Sequence, residues 1–424
     1  MPVDPARDTA LAVLFRVSTR GAFASAALRA ELTARKVTDP RDRALATELA
    51  YGALRRRVQL DKALSREGKR LKDLDPKIHD PLRLATYQLL FLDRVPDHAA
   101  VNAAVDQARA RGGERAASSV NAILRKIATR PRSERLPEPP PASDPISRLS
   151  FVTSLPRPLA ELLADRLGVD RATTYGVACL ERPSLVLRAN LLRTSRDDLV
   201  AEVDGRPGLH SRAVVLPDRL GLLPQDLAAV AEGRATVEDE GSMAVVDLLD
   251  PKPDEQILDL CASPGGKATM IAEVMGDRGR VVASDRNAEK IRRVGESAVR
   301  LGLRSIELSD PPPAAEPIFD RVLVDAPCSG LGTLRRHPEI RERFHPDDLP
   351  RLVATQRSLL ERGASRVRPG GVLVYAVCSV LPDEGERLAD QPPAGFVLER
   401  TLELSPLDPG EPDGFFAARW KKLG

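Results

Sequence analysis

The chain has 424 residues, a formal net charge of +3, and a composition that is 42% hydrophobic but only 3% aromatic. This length favours two or three domains, whose cores must rest mainly on aliphatic side chains. No run of about 18 apolar residues occurs, so no membrane-spanning helix is expected, and residues 1–20 lack the basic and apolar blocks of a secretion signal.

Four cysteines are scattered along the chain, at Cys179, Cys261, Cys328 and Cys378. None has the Cys-x-x-Cys spacing of common zinc sites, so no metal site is expected. A long chain with few, scattered cysteines is typical of a reducing compartment, and we expect a cytoplasmic protein. Cys179 falls in a helical pattern and is interpreted as a small buried apolar residue.

The net charge hides an asymmetry between the two ends of the chain. Residues 1–130 hold 25 Lys and Arg against 15 Asp and Glu, whereas the remainder holds 39 against 46. A basic N-terminal third is consistent with nucleic-acid contact. An arginine-rich, solvated helical surface accounts for the same charge, and the charge alone leaves both interpretations open.

The N-terminal 240 residues are predicted to form two small domains joined by a linker. In residues 1–130, apolar residues recur at three- and four-residue spacing between polar or proline breaks, which predicts a bundle of short helices. Residues 131–145 are dense in proline, which argues against helix and central strand and indicates a semi-rigid linker. Residues 146–240 are interpreted as a small α+β, RNA-binding subdomain without a catalytic pattern.

Residues 241–424 alternate between predicted strands and predicted helices. The strands are Ile257–Leu260, Arg280–Ser284, Ser305–Leu308, Phe319–Val324 and Gly371–Val377. The helices are Met243–Leu249, Ala268–Met275, Ala288–Leu301 and Leu349–Val367. This alternation predicts an α/β, Rossmann-like domain with a doubly wound parallel sheet and helices on both faces.

A glycine-bearing turn, Cys261–Lys267, joins the first of these strands to the next helix. Gly265 and Gly266 allow a ligand to approach the backbone closely, and the helix N-terminus offers free amides to an anion. Asp285 ends the following strand, where a carboxylate can bind a ribose diol. The turn fits neither Gly-x-Gly-x-x-Gly nor a P-loop, and a plain tight turn is the competing interpretation.

Two cysteines follow predicted strands of the same sheet. Cys328 lies in Asp325–Gly330, directly after the apolar run Val322–Val324, and Cys378 follows Gly371–Val377. Sheets of this class bind ligands beyond the carboxyl ends of their strands. For either cysteine taken alone, a buried residue at a strand end is the plainer interpretation.

Several segments resemble those of known RNA-modifying proteins. Residues 5–130 resemble the NusB-like RNA-binding domain, through Glu48–Arg55, Leu82–Leu89, Pro96–Asn102 and Val120–Arg125. The remaining segments are similar to motifs I, IV and VI and the C-terminal segment of the RNA 5-methylcytosine methyltransferases: Leu258–Lys267, Asp325–Glu339, Tyr375–Glu384 and Asp413–Arg419. The domain order is similar to that of the small-subunit rRNA enzymes in that family. Cys328 lies in the segment similar to motif IV, and Cys378 lies in the segment similar to motif VI.

The resemblance implies methyl transfer from S-adenosyl-L-methionine to carbon 5 of a cytosine in RNA, most directly 16S rRNA. Cys378 would be the nucleophile that attacks carbon 6, Cys328 would assist product release, and Asp325 would contact the base. The resemblance also implies a set of cofactor-binding residues: Cys261, Ala262, Ser263, Pro264, Gly265, Gly266, Lys267, Asp285, Asp310 and Asp325.

The sequence departs from the family pattern at three places. Pro311–Pro313 follow Asp310 in a shortened loop, Val377 stands where threonine usually precedes the motif VI cysteine, and Glu238 stands where glutamine is common. Arg335–His337, after motif IV, are expected either to meet the RNA backbone or to form a solvated basic loop.

Two other functions remain compatible with these residues. A tRNA substrate would keep the chemistry and change only the target. A non-catalytic RNA-binding assembly factor would keep the helical domain alone, although the intact pair of cysteines argues against it.

Overall fold

The computed structural model describes residues 4–67, 73–217, 223–310, 314, 316, 318–406 and 411–424. Its helices, in chain order, are α1 (Pro5–Arg20), α2 (Ala24–Ala34), α3 (Pro40–Arg55), α4 (Arg57–Arg66), α5 (His79–Phe91), α6 (Asp97–Ala128), α7 (Arg132–Arg135), α8 (Pro145–Thr153), α9 (Arg157–Leu167), α10 (Val169–Ala178), α11 (Arg196–Val203), α12 (Ala228–Ala231), α13 (Glu240–Leu249), α14 (Gly266–Val274), α15 (Ala288–Leu301), α16 (Ile340–Arg343), α17 (Leu349–Ala364) and α18 (Glu386–Ala389). Its strands are β1 (Val186–Ala189), β2 (Arg206–Pro207), β3 (Ala213–Val215), β4 (Ala235–Val237), β5 (Gln256–Asp259), β6 (Arg280–Ser284), β7 (Ile306–Ser309), β8 (Phe319–Asp325), β9 (Val367–Val377), β10 (Phe396–Leu404) and β11 (Phe415–Lys422). Short 3-10 helices lie at Pro76–Ile78, Pro224–Asp226, Leu331–Thr333 and Pro346–Asp348.

The described residues form two compact units. The first holds residues 4–182 and 334–346, which carry α1–α10 and α16. The second holds the described parts of 183–333 and 347–424, which carry the strands. Within the described ranges, no helix is both long and apolar enough to cross a membrane.

The first unit is a helical bundle, and its N-terminal part confirms the helical prediction for this end of the chain. Helix α1 begins after Asp4, whose carboxylate accepts a hydrogen bond from the Arg7 backbone N at 2.9 Å, and it ends before Gly21 at φ +60°. The buried residues of α1 recur at three- and four-residue spacing: Ala6, Thr9, Ala10, Leu11, Val13, Leu14 and Val17. That face packs toward α2, α3 and α5, so the bundle core is built from the pattern visible in the sequence.

The proline-rich segment differs from its prediction as a non-helical linker. Residues Arg132–Arg135 form one helical turn that begins after Pro131. Arg135 is buried and donates to the Leu89 carbonyl and to the Asp97 carboxylate, each at 2.9 Å. The turn forms because it lies between Pro131 and the later prolines, and proline is tolerated just before a helix starts.

The second unit contains two sheets. The smaller is antiparallel, in the order β2-β3-β1-β4. The larger has seven strands in the order β10-β11-β9-β8-β5-β6-β7, and β9, β8, β5, β6 and β7 run parallel to one another. Helices α13–α15 contribute to the apolar core on one face, and α17 and α18 to the core on the other, which confirms the doubly wound prediction.

Two features of the larger sheet were not predicted. Strands β10 and β11 pair antiparallel at one end, so the sheet is mixed rather than wholly parallel. The predicted helix Leu349–Val367 ends at Ala364, because Val367 is fully buried and opens β9 opposite Phe319. The carboxyl ends of the five parallel strands still meet at one edge, which is where the candidate site lies.

Candidate active site

The glycine-bearing turn leaves β5 at this edge and leads into α14. Gly265 has φ +110°, a conformation that residues with a Cβ rarely adopt, and a Cβ there would lie 3.2 Å from the Val294 Cα. Gly266 is the first residue of α14. The turn therefore presents uncovered backbone, followed by the free N–H groups of a helix N-terminus.

A buried arginine outside the predicted site holds this turn. Arg188, in β1, is fully buried and donates to the Gly266 carbonyl at 2.8 Å and to Glu273 Oε1 at 2.8 Å. It also donates to Glu238, the residue that replaces the common glutamine. Burial lowers the pKa of Arg188, but Glu238 and Glu273 outweigh it, so the net shift is upward. The two carboxylates therefore keep the Arg188 guanidinium charged behind the turn. No sequence motif had indicated a role for Arg188.

The two cysteines that follow β8 and β9 face each other. The sulfur atoms of Cys328 and Cys378 are 3.4 Å apart, and either thiol can donate to the other. Gly332 N donates to the Cys378 carbonyl at 3.0 Å, and Gly414 N donates to the Gly332 carbonyl at 2.8 Å. The hydrogen bond to Cys378, followed by burial, raises the pKa of Cys328 well above its usual range. Neighbouring parallel strands thus bring together residues that lie 50 positions apart.

Asp325 and Lys267 form an ion pair within the same edge. Lys267 Nζ donates to Asp325 Oδ2 at 2.7 Å and lies 5.4 Å from the ring centre of Phe415. Burial lowers the pKa of Lys267, but the charge and hydrogen bond of Asp325 raise it further, with smaller contributions from Glu238 and Cys378. Lys267 is therefore a charged ammonium that acts electrostatically on the Cys378 thiol.

Asp259, the last residue of β5, was missed by the sequence analysis. It is 1% exposed, and its Oδ1 accepts from the Cys261 N at 3.3 Å, while Oδ2 has no hydrogen-bond partner within the described ranges. Burial, then the charge of Asp325, raises the pKa of Asp259 to about 7. Burial and the same acids raise the pKa of the Cys261 thiol, which keeps it protonated and unreactive. The position of Asp259 at the end of a strand that leads into a glycine-bearing turn was the sequence feature that could have indicated it.

The other predicted carboxylates lie at the same edge, farther along the sheet. Asp285 follows β6, is partly buried, and accepts a hydrogen bond from the Asn287 N at 3.0 Å. Asp310 follows β7 and is exposed. The expectation about the loop Pro311–Pro313 falls outside the described residues.

The predicted RNA contact of Arg335 is wrong. Its side chain is buried at 3% exposure in the first unit, and its carbonyl accepts from Arg55 Nη2 at 3.1 Å. The rings of Phe23 and His337 meet edge to face, with centres 5.9 Å apart. Both expectations for Arg335–His337, contact with the RNA backbone or a solvated basic loop, required surface residues; Arg335 is buried, whereas Arg336 and His337 are partly buried.

The comparisons with known proteins agree with this geometry. The NusB family matches residues 4–129, and the family described as 16S rRNA methyltransferase RsmB/F matches residues 246–393. The chain is 35% identical to the probable ribosomal RNA small subunit methyltransferase B of Bacillus subtilis, over 99% of each chain. It is 34% identical to the ribosomal RNA small subunit methyltransferase B of Cronobacter sakazakii, over 91% of each.

One solved structure is similar over the whole length. The crystal structure of PH0851 aligns with 100% of this chain and 99% of its own, with a TM-score of 0.82 and 25% sequence identity. Both the sequence relatives and this structural similarity therefore extend beyond the catalytic motifs to the complete domain order. The chain belongs to the RsmB/F family of 16S rRNA methyltransferases.

Proposed function

We propose that this chain transfers the methyl group of S-adenosyl-L-methionine to carbon 5 of a cytosine in 16S rRNA. The observation that carries the proposal is the pair of thiols, 3.4 Å apart, at the ends of neighbouring parallel strands. Two facing thiols next to an ion pair suit covalent activation of a ring carbon, because one can add to the ring while the other serves the later step.

The proposed roles follow from what carbon 5 needs. Carbon 5 of cytosine is a weak nucleophile, and addition of the Cys378 thiolate to carbon 6 makes it enamine-like. Asp325 contacts the base near ring nitrogen 3 and its amine, where charge develops as the adduct forms. Cys328 assists release, in which carbon 5 loses its proton and the Cys378 thiolate leaves.

The titration of Cys328 supports this division of roles. Its raised pKa keeps the Cys328 thiol protonated next to the sulfur of Cys378, as suits the residue that acts only in the later step.

The turn after β5 fits the cofactor, which supplies an electrophilic methyl group when bound. Gly265 at φ +110° keeps the backbone free of side chains there, and the N-terminus of α14 suits the methionine carboxylate. Carboxylates at the ends of β6 and β7 suit the ribose diol and the adenine. The proposed cofactor residues are Cys261, Ala262, Ser263, Pro264, Gly265, Gly266, Lys267, Asp285, Asp310 and Asp325.

The remaining domains are proposed to hold the RNA. Residues 1–130 are the basic, NusB-like domain, 131–145 the linker, 146–240 the smaller RNA-binding subdomain, and 241–424 the methyltransferase domain. A cytosine must leave its stack to reach the two thiols, which costs a few kcal/mol and least in a single-stranded loop. We expect the reaction to take place in the cytoplasm, where ribosomal RNA is assembled in bacteria.

The test combines a cellular and a purified experiment. Bisulfite sequencing of RNA from cells with and without the gene is expected to lose one or more 5-methylcytosine positions in 16S rRNA. With purified protein and cofactor, Cys378→Ala is expected to abolish methylation, and Cys328→Ala to accumulate a covalent protein–RNA adduct on a denaturing gel.

Each part has its own contradicting result. Wild-type methylation by Cys378→Ala, or no adduct with Cys328→Ala, would refute the role given to that cysteine. Positions lost only in tRNA would move the substrate to tRNA, and a wild-type protein that fails to bind the cofactor in calorimetry would favour a non-catalytic assembly factor.

A further inference from the structure

A buried carboxylate, Glu384, lies behind the two cysteines and has no part in the proposed chemistry. It sits in the turn that follows Cys378 and is fully buried. A buried carboxylate is costly unless hydrogen bonds satisfy both of its oxygens. Glu384 therefore needs hydrogen-bond donors around both carboxylate oxygens, and four donors are present.

The donors are neutral groups. Glu384 Oε1 accepts from the Ser329 backbone N at 2.8 Å and from Gln356 Nε2 at 2.9 Å. Glu384 Oε2 accepts from the hydroxyls of Ser329 and Ser379, each at 2.5 Å. The backbone carbonyl of Glu384 accepts from the Tyr375 hydroxyl at 2.7 Å. Both carboxylate oxygens are thus doubly satisfied, and the residue joins three separate segments.

These segments are the ones that carry the thiols. Ser329 directly follows Cys328, and Ser379 directly follows Cys378, and their hydroxyl oxygens are 3.1 Å apart. Gln356, on α17, also donates to the carbonyl of Pro327, the residue before Cys328, at 3.0 Å. The Glu384 carboxylate therefore links Ser329, which follows Cys328, to Ser379, which follows Cys378.

We propose that Glu384 is a positioning residue that sets the spacing of the Cys328 and Cys378 thiols. This inference rests on the proposed function. The fixed spacing would keep one thiol in place to add to carbon 6 and the other in place to assist release. A misplacement of about 1 Å in a catalytic group can cost about 100-fold in rate. In the proposed site, Glu384 contacts neither the base nor the cofactor. It acts only through the turns that carry Cys328 and Cys378.

The decisive variant is Glu384→Gln, which keeps the shape but replaces one acceptor oxygen with an NH2 group. Four donors share the carboxylate, and the single amide oxygen of glutamine cannot accept from all of them in either orientation; the hydrogen bonds that remain also lose the negative charge that strengthens them. We expect kcat to fall about 100-fold, with KM for RNA and the Kd of S-adenosylmethionine within about twofold of wild type. Glu386→Gln, two residues along at the start of α18, where Glu386 is only partly buried, is the matched control and is expected to keep wild-type kcat.

A second readout measures thiol spacing without RNA or cofactor. Phenylarsine oxide forms two As–S bonds with a close pair of thiols and releases one water, so no oxidant or reductant is needed. Wild type and Glu386→Gln are expected to be bridged between Cys328 and Cys378, as seen by mass spectrometry of peptides. Glu384→Gln is expected to be bridged at least tenfold more slowly.

The outcomes separate this inference from the proposed function. If wild type is bridged but methylates no RNA, the proposed function fails while the spacing result still stands. Wild-type kcat and wild-type bridging in Glu384→Gln would overturn the inference. A loss of cofactor affinity and of melting temperature together with kcat would reduce Glu384 to a purely structural role, which also overturns it.

A milder variant covers the case in which Glu384→Gln does not fold. Gln356→Leu removes one donor from the carboxylate and the contact to the Pro327 carbonyl, while α17 retains its length. We expect kcat to fall about tenfold and bridging to slow, with cofactor affinity unchanged. Unchanged kcat and bridging in Gln356→Leu would count against the inference directly.

Discussion

At the scale of single residues, the site is controlled by one buried ammonium and two acids of different character. Lys267 and Asp325 neutralise each other at 2.7 Å, so the pair can face a polar base at modest cost. Asp259 lies behind them, buried and with one oxygen unpaired among the described residues. The pair suits base contact, whereas Asp259 responds to pH.

Replacing Lys267 with methionine removes the positive charge that acts on Cys378 and frees Asp325. We expect kcat to fall at least 100-fold, by analogy with the loss of one electrostatic donor in other active sites. Single-turnover methylation measures the rate, and a wild-type rate in Lys267→Met would contradict the electrostatic role.

Asp259 makes the free energy of unfolding depend on pH. Because its folded pKa is about 7, against an ordinary value of 3.8, its stabilising contribution is complete below about pH 4 and lost as pH rises through 7. The change is on the order of 4 kcal/mol at most. Urea unfolding at pH 5 and pH 8 should show a smaller difference in Asp259→Asn than in wild type. Equal differences in the two proteins would show that Asp259 is ionised throughout.

At the scale of elements, the glycine turn is held from behind by the strand β1. Arg188 joins β1 to both ends of α14, through Gly266 and Glu273, and to Glu238, which follows β4. A Cβ on Gly266 would lie 2.9 Å from Glu238 Oε1, so this carboxylate packs directly against the turn. The smaller sheet therefore holds the backbone of the turn that we propose for cofactor binding.

Arg188→Met is expected to destabilise the second unit by about 3–5 kcal/mol, because it removes the buried cation that Glu238 and Glu273 share and leaves Glu273 with Arg212, at 3.8 Å. Cofactor affinity should fall with it, as the turn is no longer held. Thermal melting and calorimetry measure the two effects. Arg196→Met, which removes a surface ion pair with Asp197 on α11, is the control and should change stability by no more than about 1 kcal/mol. Equal effects of the two substitutions would refute the role of Arg188.

The sequence predicted the elements better than their long-range partners. Strands β5, β6 and β8 were visible because each is a short apolar run followed by a turn or an acid. Cys328 and Cys378 follow β8 and β9, and the parallel direction of these two strands places both cysteines at one edge of the sheet. Arg188 could not be predicted, since an arginine inside a strand normally signals an exposed face. Arg335 was mispredicted for the same reason, because charge in a sequence does not report burial.

At the scale of the whole molecule, charge is divided along the chain. Residues 1–130 have an excess of ten positive charges and the rest an excess of seven negative ones, from 25 against 15 and 39 against 46. Arginines form ion pairs in both units, as Arg83 and Arg135 show in the first and Arg188 and Arg321 in the second, so the excess charge of each part is the better guide to its attraction for RNA. Attraction to RNA phosphates is therefore expected to come mainly from the N-terminal third.

RNA affinity should consequently depend strongly on salt. Counterion release at three or more phosphates predicts a loss of roughly tenfold or more in affinity between 50 and 200 mM salt. Filter binding of a 16S rRNA fragment at several salt concentrations gives the slope. Cofactor affinity, measured on the same samples, serves as the control and should change little. A flat RNA slope would contradict electrostatic binding by this part of the chain.

The facing sulfurs of Cys328 and Cys378 also expose the protein to oxidation. Their 3.4 Å separation exceeds a disulfide bond of about 2.05 Å by only about 1.4 Å. Hydrogen peroxide, by taking two electrons and releasing two waters, would convert the two thiols into an S–S bond and leave no nucleophile. We expect peroxide to abolish methylation and dithiothreitol to restore it, with the linked peptides visible by mass spectrometry. The enzyme would then be silenced reversibly whenever its surroundings cease to be reducing, and permanent inactivation by peroxide would contradict this.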